Sequence, residues 1–345
     1  MMWPLIRLLP KKTNLTYVKF AGVAAFLSIA LCAASLVSIF TGGLRENPIE
    51  IYQQAEGSPV ARIGAIMEHG FNLGIDFRGG TSLLIESPIP LDQDALSALA
   101  RRSQDGDIEV QGATCQPANA PPYCAILNFE TAPDQAETVE EIRAGLPAIA
   151  EGARIANVDS VSAKVSEELF SGGLIALGLA MALMAVYIWF RFEWQFGLGA
   201  MLGLVHDVIL TLGIFSVFRL EFTLTIIAAL LTIIGYGIND TVVVFDRLRE
   251  NLRKYKKMPL GELVDLSLNE TLSRTIITGS TAIFALIGLL FLGGDALSGF
   301  AIAMLFGIVV GTYSSLYVAA PAILIWGVKR GGERTDKRGA PQTAG

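Results

Sequence analysis

Six apolar stretches, each long enough to cross a bilayer as a helix, limit what this chain can become. They fall at roughly 18–40, 169–190, 196–218, 222–245, 274–292 and 299–327, against the roughly 20 apolar residues that a spanning helix needs. With 52% hydrophobic residues and a mean hydropathy of +0.52, the composition lies outside the range of ordinary soluble domains. The expected class is a polytopic α-helical membrane protein with six transmembrane helices. About 125 residues of soluble character separate the first stretch from the second.

The distribution of charge sets the orientation. Between Thr41 and Glu168 there are 20 acidic and 8 basic residues, so that segment carries −12 while the rest of the chain carries +6. Arg7, Lys11, Lys12 and Lys19 precede or open the first stretch, and Arg191 follows the second. Arg247, Arg249, Arg253, Lys254, Lys256 and Lys257 follow the fourth, and Lys329 and Arg330 the sixth. The turns on the other side carry only Arg219. By the positive-inside rule the segment 1–17, the loop 246–273 and the tail 329–345 are cytoplasmic, with a disordered tail, and the acidic segment 41–168 lies outside. A five-helix membrane domain then spans 169–328. The first stretch is about twice the length of a signal-peptide core and no small-x-small site closes it, so it reads as an uncleaved anchor.

One stretch carries chemistry that lipid does not tolerate. TIIGYGINDTVVVFDRLREN, Thr232 to Asn251, is apolar up to Phe245 apart from Asn239 and Asp240. A carboxylate inside a spanning helix costs about 2.5–3.5 kcal/mol on insertion scales. Asp240 lies about 9 Å of helical rise inside Asp246, too deep for a short side chain to reach water unless the protein lines a wet cavity. Two readings stand: a carboxylate that reaches the inner surface, and a buried group that changes partner or protonation state. Gly235 and Gly237, just before the polar pair, loosen the helix or let another backbone approach. In the fifth stretch Arg274, Thr278 and Thr281 fall at i, i+4 and i+7 on one face, at about the depth of Asp240. Arg274 is then either an inner-boundary cation or, on that stripe, an internal partner for the carboxylate.

Other residues in the spans divide between packing and polarity. Gly199 and Gly203 are spaced for close helix contact, followed by His206 and Asp207 near the middle of the third stretch. Successive residues on a helix point about 100° apart, so one metal site using both is not expected. The pair is either satisfied by neighbouring backbone or takes part in proton movement. Ala303, Gly307, Gly311, Ser315 and Ala319 recur every four residues with Pro321 beyond, a groove for tight helix packing. After the basic run, Leu260, Leu263, Val264 and Leu268 suit a helix lying along the inner surface.

The outer segment has a legible order. FNLGIDFRGGTSLLIES reads as a strand pair or a strand with an irregular entry. LDQDALSALARRSQ has helical spacing, with Leu91, Ala95, Leu96 and Leu99 on one side. IEVQGA and YCAILNFE are strands, DQAETVEEIRAGLPAIA a helix, and ARIANVDSVSAKVS a last strand. The sum is the β-α-β-β-α-β order of ferredoxin-like domains, which by itself says little about chemistry. Gly79-Gly80 fits a turn needing positive φ better than a phosphate loop, because no G-x-G-x-x-G follows. Cys115 and Cys124 flank QPANAPPY in a segment placed outside the cytoplasm, where a disulfide persists; the alternative is two unpaired thiols. No histidine stands near them to suggest a metal site.

With those residues assembled, the chain resembles the SecF family of bacterial protein-export membrane subunits over nearly its whole length. The motifs are D-F-x-G-G-T at Asp76 to Thr81, the His206-Asp207 pair, Gly235 to Asn251, LNETLSRTIITGST from Leu268 to Thr281, and GTYSSLYVAAP from Gly311 to Pro321. Gly237 stands where the family pattern has serine. The resemblance implies an inner-membrane half-transporter of the resistance-nodulation-division type whose mate, SecD, supplies six further spans and a second intramembrane aspartate. It implies a non-enzymatic translocase subunit, with protons as coupling ion and no other cofactor. Asp240 would be the proton carrier and Arg274 its basic partner, with His206, Asp207, Asn239, Thr278 and Thr281 in support. It further implies unfolded preprotein at the periplasmic domain and SecYEG, SecA, YajC and YidC as more distant partners, with no role for nucleic acid. Two other classes remain open on the residues alone. One is half of a proton-driven small-molecule exporter; the other is an intramembrane aspartyl protease using Asp207 and Asp240. A structural scaffold would tolerate the loss of Asp240 and Arg274.

Overall fold

The computed structural model describes residues 13–42, 53, 70–103, 108–113, 115, 122–129 and 135–328. Arg7, Lys11 and Lys12, most of the QPANAPPY loop, and the tail 329–345 lie outside the described residues.

The first apolar stretch forms helix α1 (Tyr17–Thr41), stopped by Gly42 in the left-handed region. The next described elements are β1 (Asn72–Leu73), α2 (Ile75–Arg78), β2 (Gly80–Ser87), α3 (Gln93–Ser103), β3 (Ile108–Ala113), β4 (Tyr123–Phe129), α4 (Gln135–Ile149) and β5 (Arg154–Val161). From β2 to β5 this is the β-α-β-β-α-β order expected from the sequence. The four strands lie antiparallel in the order β3-β4-β2-β5. Alternation along the central strands sends Leu83 and Ile85 of β2 and Ala125, Leu127 and Phe129 of β4 to one face. Leu96 and Ala100 of α3 and Val139, Ile142 and Leu146 of α4 close over them. The carboxylate of Asp92 accepts from the backbone N–H of Asp94 and of Ala95, at 3.0 and 3.2 Å, and starts α3. Cys115 and Cys124 are joined in a disulfide.

The entry to this domain departs from expectation. FNLGIDFRGG is broken by α2, and β1 leaves the four-stranded sheet altogether. It pairs in parallel with β6 (Glu221–Phe222), a two-residue strand between two membrane helices. Gly79 and Gly80 have φ of 76° and 128°, the backbone that the turn reading requires.

The membrane helices are α5 (Ala163–Arg191), α6 (Trp194–Val217), α7 (Leu224–Lys254), α8 (Leu260–Leu292) and α9 (Asp295–Ser314). A π-helical turn (Ser315–Ala319) continues α9 into α10 (Ala320–Trp326). Together with α1 they supply six helical segments long and apolar enough to cross a membrane. Helix α5 starts six residues earlier than the apolar pattern indicated, because the Ser162 side chain caps it, accepting from Val165 N–H.

The larger difference is at 246–273, expected as a loop with a surface helix. Here α7 runs on to Lys254, α8 begins at Leu260, and only residues 255–259 connect them. Leu263, Val264 and Leu268 are the first turns of α8, buried with Leu248 and Phe245 of α7. Asn251 Nδ2 donates to Ser267 Oγ at 3.0 Å and to Glu270 Oε2 at 2.7 Å, and Arg247 Nε donates to Glu270 Oε2 at 2.7 Å. An apolar face that looked suited to the bilayer surface is covered by a neighbouring helix instead.

Candidate functional site

Asp240 is 4% exposed. It shares the inner face of α7 with Ile233, Gly237, Thr241 and Val244, all buried. Asn239, one residue earlier, is rotated to the outside of the bundle and is exposed. Arg274 is exposed as well, and no ion pair within 4.0 Å joins it to Asp240 among the described residues. The expected internal partner is therefore an outward-facing cation that acts on Asp240 at longer range. The reason lies in how α8 packs. Leu268, Leu272, Thr275 and Gly279 form its buried stripe, which leaves Arg274 and Thr281 on the open side and Thr278 half-buried. The Thr278 hydroxyl donates to the carbonyl of Arg274 at 3.0 Å, and that of Thr281 to the carbonyl of Thr278 at 2.8 Å. Both are thus satisfied within their own helix.

A second polar centre lies between α6, α7 and α9. His206 and Asp207 are 5% and 3% exposed. Although adjacent on the helix, they bond to each other, with His206 Nδ1 2.9 Å from Asp207 Oδ1. The 100° between their Cβ directions is overcome because the imidazole folds back to bring its near nitrogen to the carboxylate. Ser314 Oγ donates to Asp207 Oδ2 at 2.8 Å, so both carboxylate oxygens have partners. A Cβ on Gly237 or on Gly311 would stand 3.6 or 3.5 Å from Asp207 Oδ2, which places both glycines against that carboxylate. His206 Nε2 is buried with no hydrogen-bond partner among the described residues, and the Tyr313 ring lies 6.0 Å from the imidazole. Tyr313 Oη in turn donates to the carbonyl of Ala24 at 3.0 Å and lies 3.0 Å from Ser28 Oγ, both on α1. The centre thus ties α1 to the rest of the bundle.

The small residues around it set helix spacing. A Cβ on Gly199 would stand 2.6 Å from the carbonyl oxygen of Ala319, and one on Gly203 would stand 3.4 Å from the Ala319 methyl. One on Gly307 would run into Ile233 of α7. Ala303, Ser315 and Ala319 are buried along the same stripe. The π turn begins directly after Ser314, and such turns are frequent at functional sites.

A third arrangement escaped the sequence reading. Asp76 Oδ2 accepts from Leu224 N–H at 2.8 Å, capping the first turn of α7 from the entry to the four-stranded domain. Gly74 N–H donates to the carbonyl of Phe222 at 3.0 Å beside it. On the other flank Ser166 Oγ donates to the carbonyl of Ile75 at 3.2 Å, and a Cβ on Gly79 would stand 3.1 Å from the Cα of Ala163. The Asp76–Gly80 turn is therefore wedged between α5 and α7. Burial and the nearby Glu109 and Asp76 carboxylates raise the pKa of Glu221 above its ordinary 4.5. The D-F-x-G-G-T pattern marked the turn, but nothing in it pointed to a partner about 150 residues downstream.

Comparison with known proteins bears on these features. The model of the family "Protein export membrane protein SecD/SecF, C-terminal" matches residues 142–329, more than half of the chain. The chain belongs to the SecD/SecF family. A second model, "SecD/SecF GG Motif", matches residues 64–87 and so covers the Asp76–Gly80 turn. Among full-length relatives, the protein translocase subunit SecF of Cereibacter sphaeroides is 42% identical, with 98% of each chain covered. That of Rhodobacter capsulatus is 39% identical, with 96% of this chain and 94% of the relative covered. A Brucella abortus protein translocase subunit SecDF is 35% identical over 94% of this chain, which spans 39% of that longer protein. The crystal structure of SecDF from Thermus, described as a translocon-associated membrane protein, superimposes with a TM-score of 0.76 at 29% identity. It covers 94% of this SecF-like chain, which spans 40% of the Thermus protein.

Proposed function

We propose that this chain is the SecF-type accessory subunit of the Sec protein-export machinery, and that it pairs with SecD to draw on the proton-motive force. The observation that carries the reading is the outer face of α7 and α8. Asn239 and Arg274 stand exposed on helices meant for lipid, where each such group is costly to leave unanswered. That face calls for helices of a mate to cover it, and relatives in which SecD and SecF form one polypeptide support SecD in that place. Asp240 sits one step around the same helix, buried, where a mate would enclose it together with Arg274.

In this scheme the site works as a proton-dependent latch. Burial favours a neutral carboxyl and a nearby guanidinium favours a charged one, so a carboxylate held between them changes state as water access alternates between the membrane faces. One proton crossing 100 mV supplies about 2.3 kcal/mol, enough to bias a bistable element. Helix α7 is unbroken from Asp240 back to Leu224, about 24 Å of rise. Its first turn is capped by Asp76, so a shift of α7 is felt directly by the outer domain. We place that ferredoxin-like domain in the periplasm, where it contacts unfolded preprotein, and both chain termini and the α7–α8 connection in the cytoplasm of a multi-pass inner-membrane protein. Protons are the only coupling ion in this reading; SecYEG, SecA, YajC and YidC would be reached through the assembly. The outer domain's acidic surplus and the distribution of Lys and Arg support this orientation.

The test is Asp240→Asn, expressed with SecD in cells lacking the native pair. Preprotein export and proton flux into membrane vesicles are both expected to fall to the level of the deletion, with membrane abundance and SecD co-purification unchanged. Export and flux at wild-type level would end the relay.

A further inference from the structure

At the end of the bundle farthest from the outer domain, the C-terminus of α5 and one face of α7 enclose a cleft of about 520 Å³. It is lined by Arg191, Asp246, Arg249, Glu250, Arg253 and Lys254. The α7 residues fall at i, i+3, i+4, i+7 and i+8, a single helical stripe. Their charges do not cancel. Arg191 makes a two-pronged ion pair with Asp246, at 2.9 and 2.8 Å. Glu250 is answered from outside the cleft by Arg247, at 2.6 Å. Arg249, Arg253 and Lys254 have no carboxylate within 4.0 Å among the described residues. Arg249 is also held in place: it donates to the carbonyl of Arg191 at 3.4 Å and lies over the Phe192 ring, 5.4 Å from its centroid. Lys254 lies over the Tyr255 ring and acts on Glu270 at longer range. Arg249 and Arg253 are therefore the two cations of the cleft without a carboxylate partner among the described residues, and Arg249 is fixed by packing.

The surroundings point to what fills it. Directly before Arg191, Trp189 and Phe190 are 75% and 88% exposed, aromatic side chains at the level where a helix leaves lipid. Running away from the cleft along α5, Ile175, Leu179, Leu183 and Val186 are also exposed. With Phe190 they follow helical spacing and form a continuous apolar track of about 22 Å. A water-soluble anion has no use for that track; a molecule with an anionic head and acyl chains matches both parts.

We propose that this cleft is a binding site for the phosphodiester headgroup of an anionic phospholipid, with its acyl chains lying along α5. Arg249 and Arg253 hold the phosphate oxygens, Lys254 adds charge, and the Arg191–Asp246 pair forms the floor. The site depends on the membrane embedding of α5 and α7 and is independent of the proton relay at Asp240.

The test uses the full-length chain in phosphatidylcholine nanodiscs with increasing phosphatidylglycerol, reading bound lipid by native mass spectrometry and thermal stability alongside. Phosphatidylglycerol is expected to be retained and to stabilise the protein, while phosphatidylcholine is not retained. Arg253→Gln, at an exposed residue with no ion pair to lose, is expected to weaken retention about fivefold. Arg249→Gln with Arg253→Gln should weaken it about 25-fold, at about one cation's contribution per change. Arg253→Lys is expected to keep most of the binding, and Lys257→Gln, outside the cleft, to leave it unchanged. Equal loss in Lys257→Gln would assign the effect to diffuse surface charge and overturn the site. Equal stabilisation by millimolar inorganic phosphate in detergent would reassign it to a free anion. Helical content by circular dichroism separates these outcomes from misfolding, and unchanged proton flux in Arg253→Gln separates failure here from failure of the relay.

Discussion

The Asp76 cap allows the coupling between outer domain and membrane helices to be tested at one atom. Asp76→Ala removes the acceptor of Leu224 N–H, 2.8 Å away. It leaves the neighbouring bond from Gly74 N–H to Phe222, at 3.0 Å, intact. A hydrogen bond to a charged acceptor contributes about 1.5–3 kcal/mol when buried, and loss of a helix N-cap costs about 1 kcal/mol. Asp76 is half-exposed, so the lower figure applies. About 1 kcal/mol corresponds to a roughly fivefold rise in the population of the opened tie. Amide hydrogen exchange reads this directly: exchange in the first turn of α7 is expected to quicken about fivefold, with smaller change at Gly74 and none in the β2–β4 ladder. Export should fall in step, because motion of α7 would then reach the outer domain through a looser joint. Asp76→Asn keeps an acceptor oxygen and should stay near wild type in both measurements. If Asp76→Ala leaves exchange at Leu224 unchanged, the side chain is not holding the helix and the proposed mechanical path from Asp240 to the outer domain fails.

Two further outcomes follow from geometry and charge. Gly199→Ala would place a methyl 2.6 Å from the Ala319 carbonyl and is expected to cost a net 1–3 kcal/mol or so, whereas Gly235→Ala meets nothing within 4 Å and should gain about 0.5–1 kcal/mol from helix propensity; thermal unfolding in detergent should therefore move in opposite directions for the two. Glu221 is half-buried, and desolvation and the Glu109 and Asp76 carboxylates raise its pKa, so its contribution to folding is fully present below its ordinary 4.5 and is lost as pH rises through the raised value. Glu221→Gln should stabilise the β1–β6 joint at neutral pH and flatten the pH dependence of its hydrogen exchange; an unchanged profile would show that the three carboxylates do not interact.

What could be read from residues alone was whatever repeats or accumulates. The apolar stretches, the helical spacing of Leu91, Ala95, Leu96 and Leu99 and the element order from β2 to β5 all rest on patterns over many residues. The failures were of two kinds. Rotation of a helix about its own axis is set by neighbours distant in sequence, so the depth that Arg274 shares with Asp240 does not say which way its side chain faces, and Asn239 and Arg274 are both exposed. Boundaries without a breaker were also misjudged: nothing between Ser267 and Arg274 stops a helix, so Leu263, Val264 and Leu268 belong to α8. The two-residue strands β1 and β6 carry no period at all, and the folding back of His206 onto Asp207 depends on rotamers that spacing does not encode.

The joint between β1 and β6 has a bearing on how the molecule is made. Its two halves are separated by about 150 residues, which a ribosome takes roughly 8–30 s to produce. The four-stranded sheet can close on its own contacts during that interval, but its seat on the membrane exists only after the second and third spans have been inserted. Synthesis therefore completes the sheet before its seat: β1 to β5 are made ahead of β6, and the joint can form only once both sides are present.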